Sequence, residues 1–100
     1  MKKAVQYDKA KWREIQAAQD SIFQRLAKSM EKEPNHPDVQ ALIKERQDFI
    51  THNFYACSKD MLRELAHMNL TDERFKKNID KYADGLSMFI AQATDIYCNT

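Results

Sequence analysis

Residues 31–43 read EKEPNHPDVQALI and hold both prolines of a 100-residue chain. Proline disfavours helical backbone at the residue before it, so Glu33 and His36 are pushed out of any helix. Pro37 itself suits a first helical position, where its missing N–H would have had no partner. Val39, Leu42 and Ile43 then resume an apolar stripe at helical spacing. The stretch ends one helix and starts another.

Outward from this break, both flanks keep a period near 3.6. Upstream, from about Ala10 to Met30, Trp12, Ile15, Ile22, Phe23, Leu26 and Met30 form an apolar face, with Arg13, Glu14, Gln16, Asp20, Gln24 and Lys28 on the wet side. Downstream, the second run continues through Phe49 and Ile50 to the aromatic pair Phe54-Tyr55. Ser58 is a suitable N-cap for a short third helix carrying Met61, Leu62, Leu65 and Met68. Thr71 is read as the cap of a fourth, with Asp72 and Glu73 near its positive end and Phe75 and Ile79 on its inner face. A fifth run, Tyr82 to Tyr97, brings Leu86, Phe89, Ile90, Ala93 and Ile96 to one side. With one glycine and no alternation of β-branched residues, strands are not expected. The reading is all-α: about five helices around one core over residues 10–98, after a flexible N-terminal segment, residues 1–9.

Composition narrows the function. A net charge of +1 offers no basic face for DNA or RNA. Lysines and arginines gather at residues 2–13 and 74–81, but both groups lie among acids and read as solvated faces. No apolar run approaches the ~18 residues that span a bilayer, and no signal-peptide core follows the first lysines, so a cytoplasmic chain with no membrane association is expected. Cys57 and Cys98 lack metal or disulfide-framework spacing, and His36, His52 and His67 do not stand at i, i+4; neither metal nor cofactor is expected. There is no phosphate loop, GxSxG or paired-carboxylate motif. A cysteine nucleophile would have only His52 near it in sequence and no third partner, so a binding module is expected and not an enzyme.

Cys57 sits in HNFYACSKDML, residues 52–62, directly before Ser58. A helix N-terminus favours thiolate over thiol, and Lys59 adds positive charge, so the thiol is expected to fall from ~8.5 toward neutrality. The competing reading is a small buried hydrophobe, the commoner state of a free cysteine. Cys98, near the C-terminus, is read as incidental. Gly85 would cost ~1 kcal/mol against alanine within a helix, so it is read as admitting the close approach of a neighbouring helix or a ligand.

The segment from Pro37 to Thr94 resembles the TipAS antibiotic-recognition domain, the ligand-binding part of TipA-like regulators of the MerR family. The matching pieces are HPDVQAL (36–42), FYACS (54–58), DERF (72–75) and IDKYADGLSMFIAQA (79–93), with Trp12 and IFQRLAKSM (22–30) upstream. The resemblance implies a globin-like single domain with a deep apolar cleft that holds thiopeptide antibiotics of the thiostrepton type. It also implies covalent attachment of a dehydroalanine-bearing ligand to the cysteine of the FYxC motif, here Cys57. The cleft candidates are His52, Asn53, Phe54, Tyr55, Met61, Leu65, Phe75 and Tyr82, with His67 and Trp12 beyond them; Phe54 and Tyr55 stand equally as packing, and Phe75 and Tyr82 read first as core. The family's winged helix-turn-helix and coiled coil are not in this sequence, and little sequence precedes Trp12. The chain is therefore read as an excised or free-standing sensor that does not bind DNA itself, with dimerisation open and weaker affinity than the family's. The alternative is a helical protein–protein interaction or dimerisation module with no small ligand. Haem binding, prompted only by the globin-like architecture, finds no well-placed histidine.

Overall fold

The computed structural model describes residues 9–99. Residues 1–8 of the expected flexible segment lie outside the described residues, while Lys9 opens the first helix. Five α-helices follow in order: α1 (Lys9–Lys28), α2 (Pro37–Asn53), α3 (Lys59–Thr71), α4 (Glu73–Asp80) and α5 (Leu86–Cys98). A single 3₁₀ turn, Ser29–Glu31, closes α1, and no strand occurs among the described residues. The fold is all-α, as the periodicity requires.

Local chemistry sets the boundaries. Pro37 is the first residue of α2, and the His36 ring caps it, Nδ1 accepting the Asp38 N–H at 3.0 Å. Gln40 reaches back from α2 to donate to the Pro34 carbonyl at 2.8 Å and to Ala93 of α5 at 3.0 Å, so the proline turn is tied to the last helix. Ser58 caps α3 as expected, Oγ accepting the Met61 N–H at 3.2 Å.

Four expectations need correction. The cap of α4 is Asp72, whose carboxylate accepts the Arg74 N–H at 3.0 Å. Thr71 is the last residue of α3 and turns its hydroxyl back to the His67 carbonyl at 3.2 Å. The fifth helix begins at Leu86, not Tyr82, because residues 81–85 form a turn. That turn is fixed by Gly85, whose φ of +82° is costly for an L side chain, and by Asp80, which accepts the Ser87 N–H at 2.8 Å. Gly85 thus does not serve close approach, since a Cβ there would meet only the Met30 Cε at 3.8 Å. Trp12, placed on the apolar face of the first helix, is 43% exposed.

The core runs through all five helices. Leu26, Val39, Ile43, Leu62, Leu86 and Ile90 are essentially inaccessible, each contributing roughly 1.5–3 kcal/mol of burial. α5 is the central element: it packs most extensively on α3 and also against α2, α4 and α1. Between α3 and α5 the fold is closed. Elsewhere, α1, α2 and α4, with part of α3, leave space between them.

Candidate functional site

That space is a cavity of about 560 Å³, within the ~300–1,000 Å³ usual for small-molecule sites. Ile22 and Phe23 of α1, Phe49 and Ile50 of α2, Leu65 of α3 and Ile79 of α4 give it apolar walls. Phe54 and Tyr55, just beyond the end of α2, and Phe75 of α4 also line it, and each is about 45% exposed. Half-exposed aromatics on a cavity wall mark where it opens to solvent. The Phe54 ring is held edge-on to Phe49, centroids 6.0 Å apart, and Tyr82 lies against Phe23 at 5.5 Å. The Tyr82 hydroxyl donates to Asp20 of α1, closing the rim between residues far apart in sequence. Burial, reinforced by Asp20, pushes the Tyr82 phenol up to about 12.

The turn that carries Phe54 and Tyr55 is pinned from α2. The Phe54 and Tyr55 N–H groups both donate to the Ile50 carbonyl, at 2.9 and 3.2 Å. Two residues on, the Cys57 N–H donates to Thr51 Oγ1 at 3.1 Å, and its carbonyl accepts from Gln47 Nε2 at 2.8 Å. Gln47 Oε1 in turn accepts the Tyr97 hydroxyl at 2.5 Å. The aromatic lip has a braced base.

Two polar residues stand where apolar ones would be expected. Arg46 of α2 is 6% exposed and lines the cavity, its guanidinium 5.7 Å from the centre of the Phe23 ring. Burial pulls its pKa down to about 10, with the Cys57 and Tyr55 groups pushing the other way, so it is still cationic at neutral pH. Asn69 of α3, also 6% exposed, lines the same cavity.

Of the sequence candidates, Phe54, Tyr55, Leu65, Phe75 and Tyr82 come together on this cavity. His52 and Asn53 lie instead in a more open depression of about 430 Å³ between α1 and α2, with Ala18 and Glu45 among its walls. Met61 is exposed and lines neither, and His67 is engaged elsewhere, pairing with Asp95 of α5 at 2.9 Å. Cys57 also lines neither. It is 6% exposed, its Sγ 3.6 Å from the Ser58 carbonyl. The expected softening of this thiol is overturned: burial pushes it up, against the opposing charge of Arg46. A helix N-terminus favours the thiolate, whereas burial works against it. The Cys98 thiol is likewise raised by burial, and it donates to the Lys59 carbonyl at 3.0 Å.

Sequence reasoning missed Arg46 and Asn69. The signal was present: Val39, Ile43, Arg46 and Ile50 follow one stripe of α2, and Leu62, Ala66 and Asn69 one stripe of α3. A charged or amide residue in apolar register is the mark of a polar group turned inward. Among the described residues no group of three His, Cys, Asp or Glu side chains is placed to hold a metal ion. The cavity offers aromatic faces, a buried cation and amide groups.

The family model of the TipAS antibiotic-recognition domain matches residues 1–97. The HTH-type transcriptional activator mta of Bacillus subtilis (strain 168) is 37% identical over 98 residues, which is 98% of this chain and 38% of that protein. The HTH-type transcriptional activator TipA of Streptomyces coelicolor is 30% identical over 93 residues, 91% of this chain and 37% of its own length, as is TipA of Streptomyces lividans. The chain thus spans less than two-fifths of these relatives. No solved structure matches it.

Proposed function

The chain belongs to the TipAS antibiotic-recognition family, and from that premise we propose that it is the ligand-sensing domain of a TipA- or Mta-like transcriptional activator. The ligand is a large, apolar, unsaturated antibiotic of the thiopeptide type, held in the cavity between α1, α2 and α4. The observation that carries this reading is the ring of half-exposed aromatics, Phe54, Tyr55 and Phe75, around a cavity with an apolar floor. Rings so placed offer broad stacking area at little conformational cost.

Binding is first of all reversible. The cavity wall carries neither Cys57 nor a histidine, so this first stage forms no covalent bond to the ligand. Covalent capture by Cys57 is a second stage, in which the 54–58 turn opens and the thiolate reaches the ligand. Its sulfur would then bond to the β-carbon of a dehydroalanine, and a proton would go to the α-carbon. DNA recognition, in this reading, belongs to the part of the relatives that the chain does not span. No helix among the described residues is long and apolar enough to cross a membrane.

Thermal melting with and without thiostrepton-type thiopeptides tests the reading. A ligand that binds only the folded state, at 100 times its Kd, should add roughly 2.7 kcal/mol. Unchanged melting with every large unsaturated ligand tried would sink it and favour an interaction module. Intact mass after incubation separates the two stages: a rise in Tm without a mass increase is reversible binding alone.

A further inference from the structure

Arg46 is more than the cavity reading needs. A guanidinium carries five N–H donors and tolerates burial only when they are met. Its Nη1 is fully inaccessible and has no hydrogen-bond partner among the described residues. The two other atoms in that state, Ser87 Oγ and Thr94 Oγ1, belong to α5 and do not line the cavity. Of these three residues, only the arginine is part of the cavity wall.

The surrounding charge agrees in sign. The cavity has one carboxylate on its wall, Asp20, against two cations, Arg46 and Lys81. Asp20 already accepts the Tyr82 hydroxyl, and Lys81 is exposed, its ammonium 5.5 Å from the centre of the Tyr82 ring. Arg46 alone combines a charge, burial and an unmet donor. Its guanidinium lies over the Phe23 ring at cation–π distance, 5.7 Å from the centre, and its planar fork suits directional recognition of an oxygen pair.

We propose that Arg46 is a ligand-recognition residue, and that the cavity selects aromatic molecules bearing an acceptor oxygen, anionic best, that docks on the guanidinium. The proposal rests on the ligand-sensing reading and deepens it: aromatic faces supply affinity, and Arg46 sets which end of the ligand goes in. A neutral carbonyl would be accepted less tightly than a carboxylate or sulfonate, because hydrogen bonds between charged groups are the stronger kind.

Two fluorescent probes with one skeleton separate the terms: 8-anilino-1-naphthalenesulfonate and the uncharged N-phenyl-1-naphthylamine. The wild-type chain should bind the sulfonate roughly tenfold more tightly, as expected for one charge-assisted contact. Arg46→Met should abolish that preference and leave the neutral probe within about twofold of wild type. Lys81→Gln should leave the preference in place. Cooperative melting of each variant excludes binding to a loosened core, and if Arg46→Met loses it, Arg46→Gln is read in its place. A preference that survives both Arg46 substitutions, or that disappears in Lys81→Gln, overturns the proposal. Equal binding of both probes by wild type also overturns it while leaving the cavity reading intact. If neither probe binds, both fall together.

Discussion

The α3–α5 contact and the space between α1, α2 and α4 are built on the same helical register, yet one is shut and the other open. On α3, Leu62 and Ala66 are buried in the core, whereas Leu65 and Asn69 line the cavity. On α2, Val39 and Ile43 are fully enclosed at one end, and further along the same stripe Arg46 and Ile50 form cavity wall. Register decides which residues turn inward. What stands in register decides whether the interior fills or keeps room for something else. An aliphatic side chain packs to the density of its neighbours, while a guanidinium or carboxamide requires polar partners and holds its surroundings apart.

The sharpest way to test that contrast is to damage the closed side. Leu62→Ala, on the fully buried face of α3, should cost about 2–5 kcal/mol in guanidinium unfolding. A loss under 1 kcal/mol would mean that α3 and α5 are not the firm half of the molecule. The matching change on the open side should run the other way. Arg46→Met removes a buried, incompletely bonded charge and substitutes a flexible apolar chain of similar length. It should raise stability by about 1 kcal/mol. If it destabilises as much as Leu62→Ala, Arg46 is structural and the two regions differ less than their chemistry suggests.

A smaller effect tests the turn between them. Burial raises the Asp80 carboxyl, but its hydrogen bonds from Lys76 and from the Ser87 N–H outweigh this, so it titrates below its usual 3.8. A depressed folded-state value stabilises above the unfolded pKa and is lost as pH falls through the folded one. Acid unfolding should therefore steepen below about pH 4 in the wild type and flatten in Asp80→Asn. Identical profiles would remove Asp80 from the account of the α5 start. The smallest change is expected at the rim. Tyr82→Phe gives up the bond to a solvent-facing Asp20 and should cost about 1 kcal/mol or less, measured by the same unfolding.

The thiols supply one more comparison. Cys57 is 6% exposed and Cys98 is only partly buried. Iodoacetamide applied to the native chain should modify Cys98 first, with Cys57 reacting at comparable speed only after denaturation. Peptide mapping decides; prior labelling of Cys57 would show that the 54–58 turn opens readily and would favour the covalent stage.

Much of this architecture was legible in the sequence, because it rests on local rules. The break between the first two helices, the start at Pro37 and the Ser58 cap need only neighbouring residues, and they stand where expected. The aromatic pair Phe54-Tyr55 was readable as the end of the second run. What could not be read depends on distant parts of the chain. Whether Cys57 lies in a field or in a desolvated pocket depends on how α2 covers the turn, through Gln47 and Thr51. Which of Phe54 and Met61 faces a cavity depends on α4, which neither residue specifies. Arg46 is hidden for a different reason: an apolar stripe is recognised by its apolar members, and a charge within it reads as a solvated residue.

The hydroxyl of Tyr82 and the carboxylate of Asp20 meet across a sequence separation of 62 residues. Drawing together the ends of a long loop costs entropy before it yields contact, whereas α1 with α2, and α3 with α4, pair across short connections. During folding, then, the helical hairpins should form early and the rim of the cavity late. Core substitutions such as Leu62→Ala should slow refolding, and Tyr82→Phe should chiefly speed unfolding. The reverse assignment in stopped-flow traces would refute the order. A chain emerging from the ribosome would on this account acquire its shape before its pocket, and the pocket's last bond would be made only once α4 and the turn after it had been synthesised.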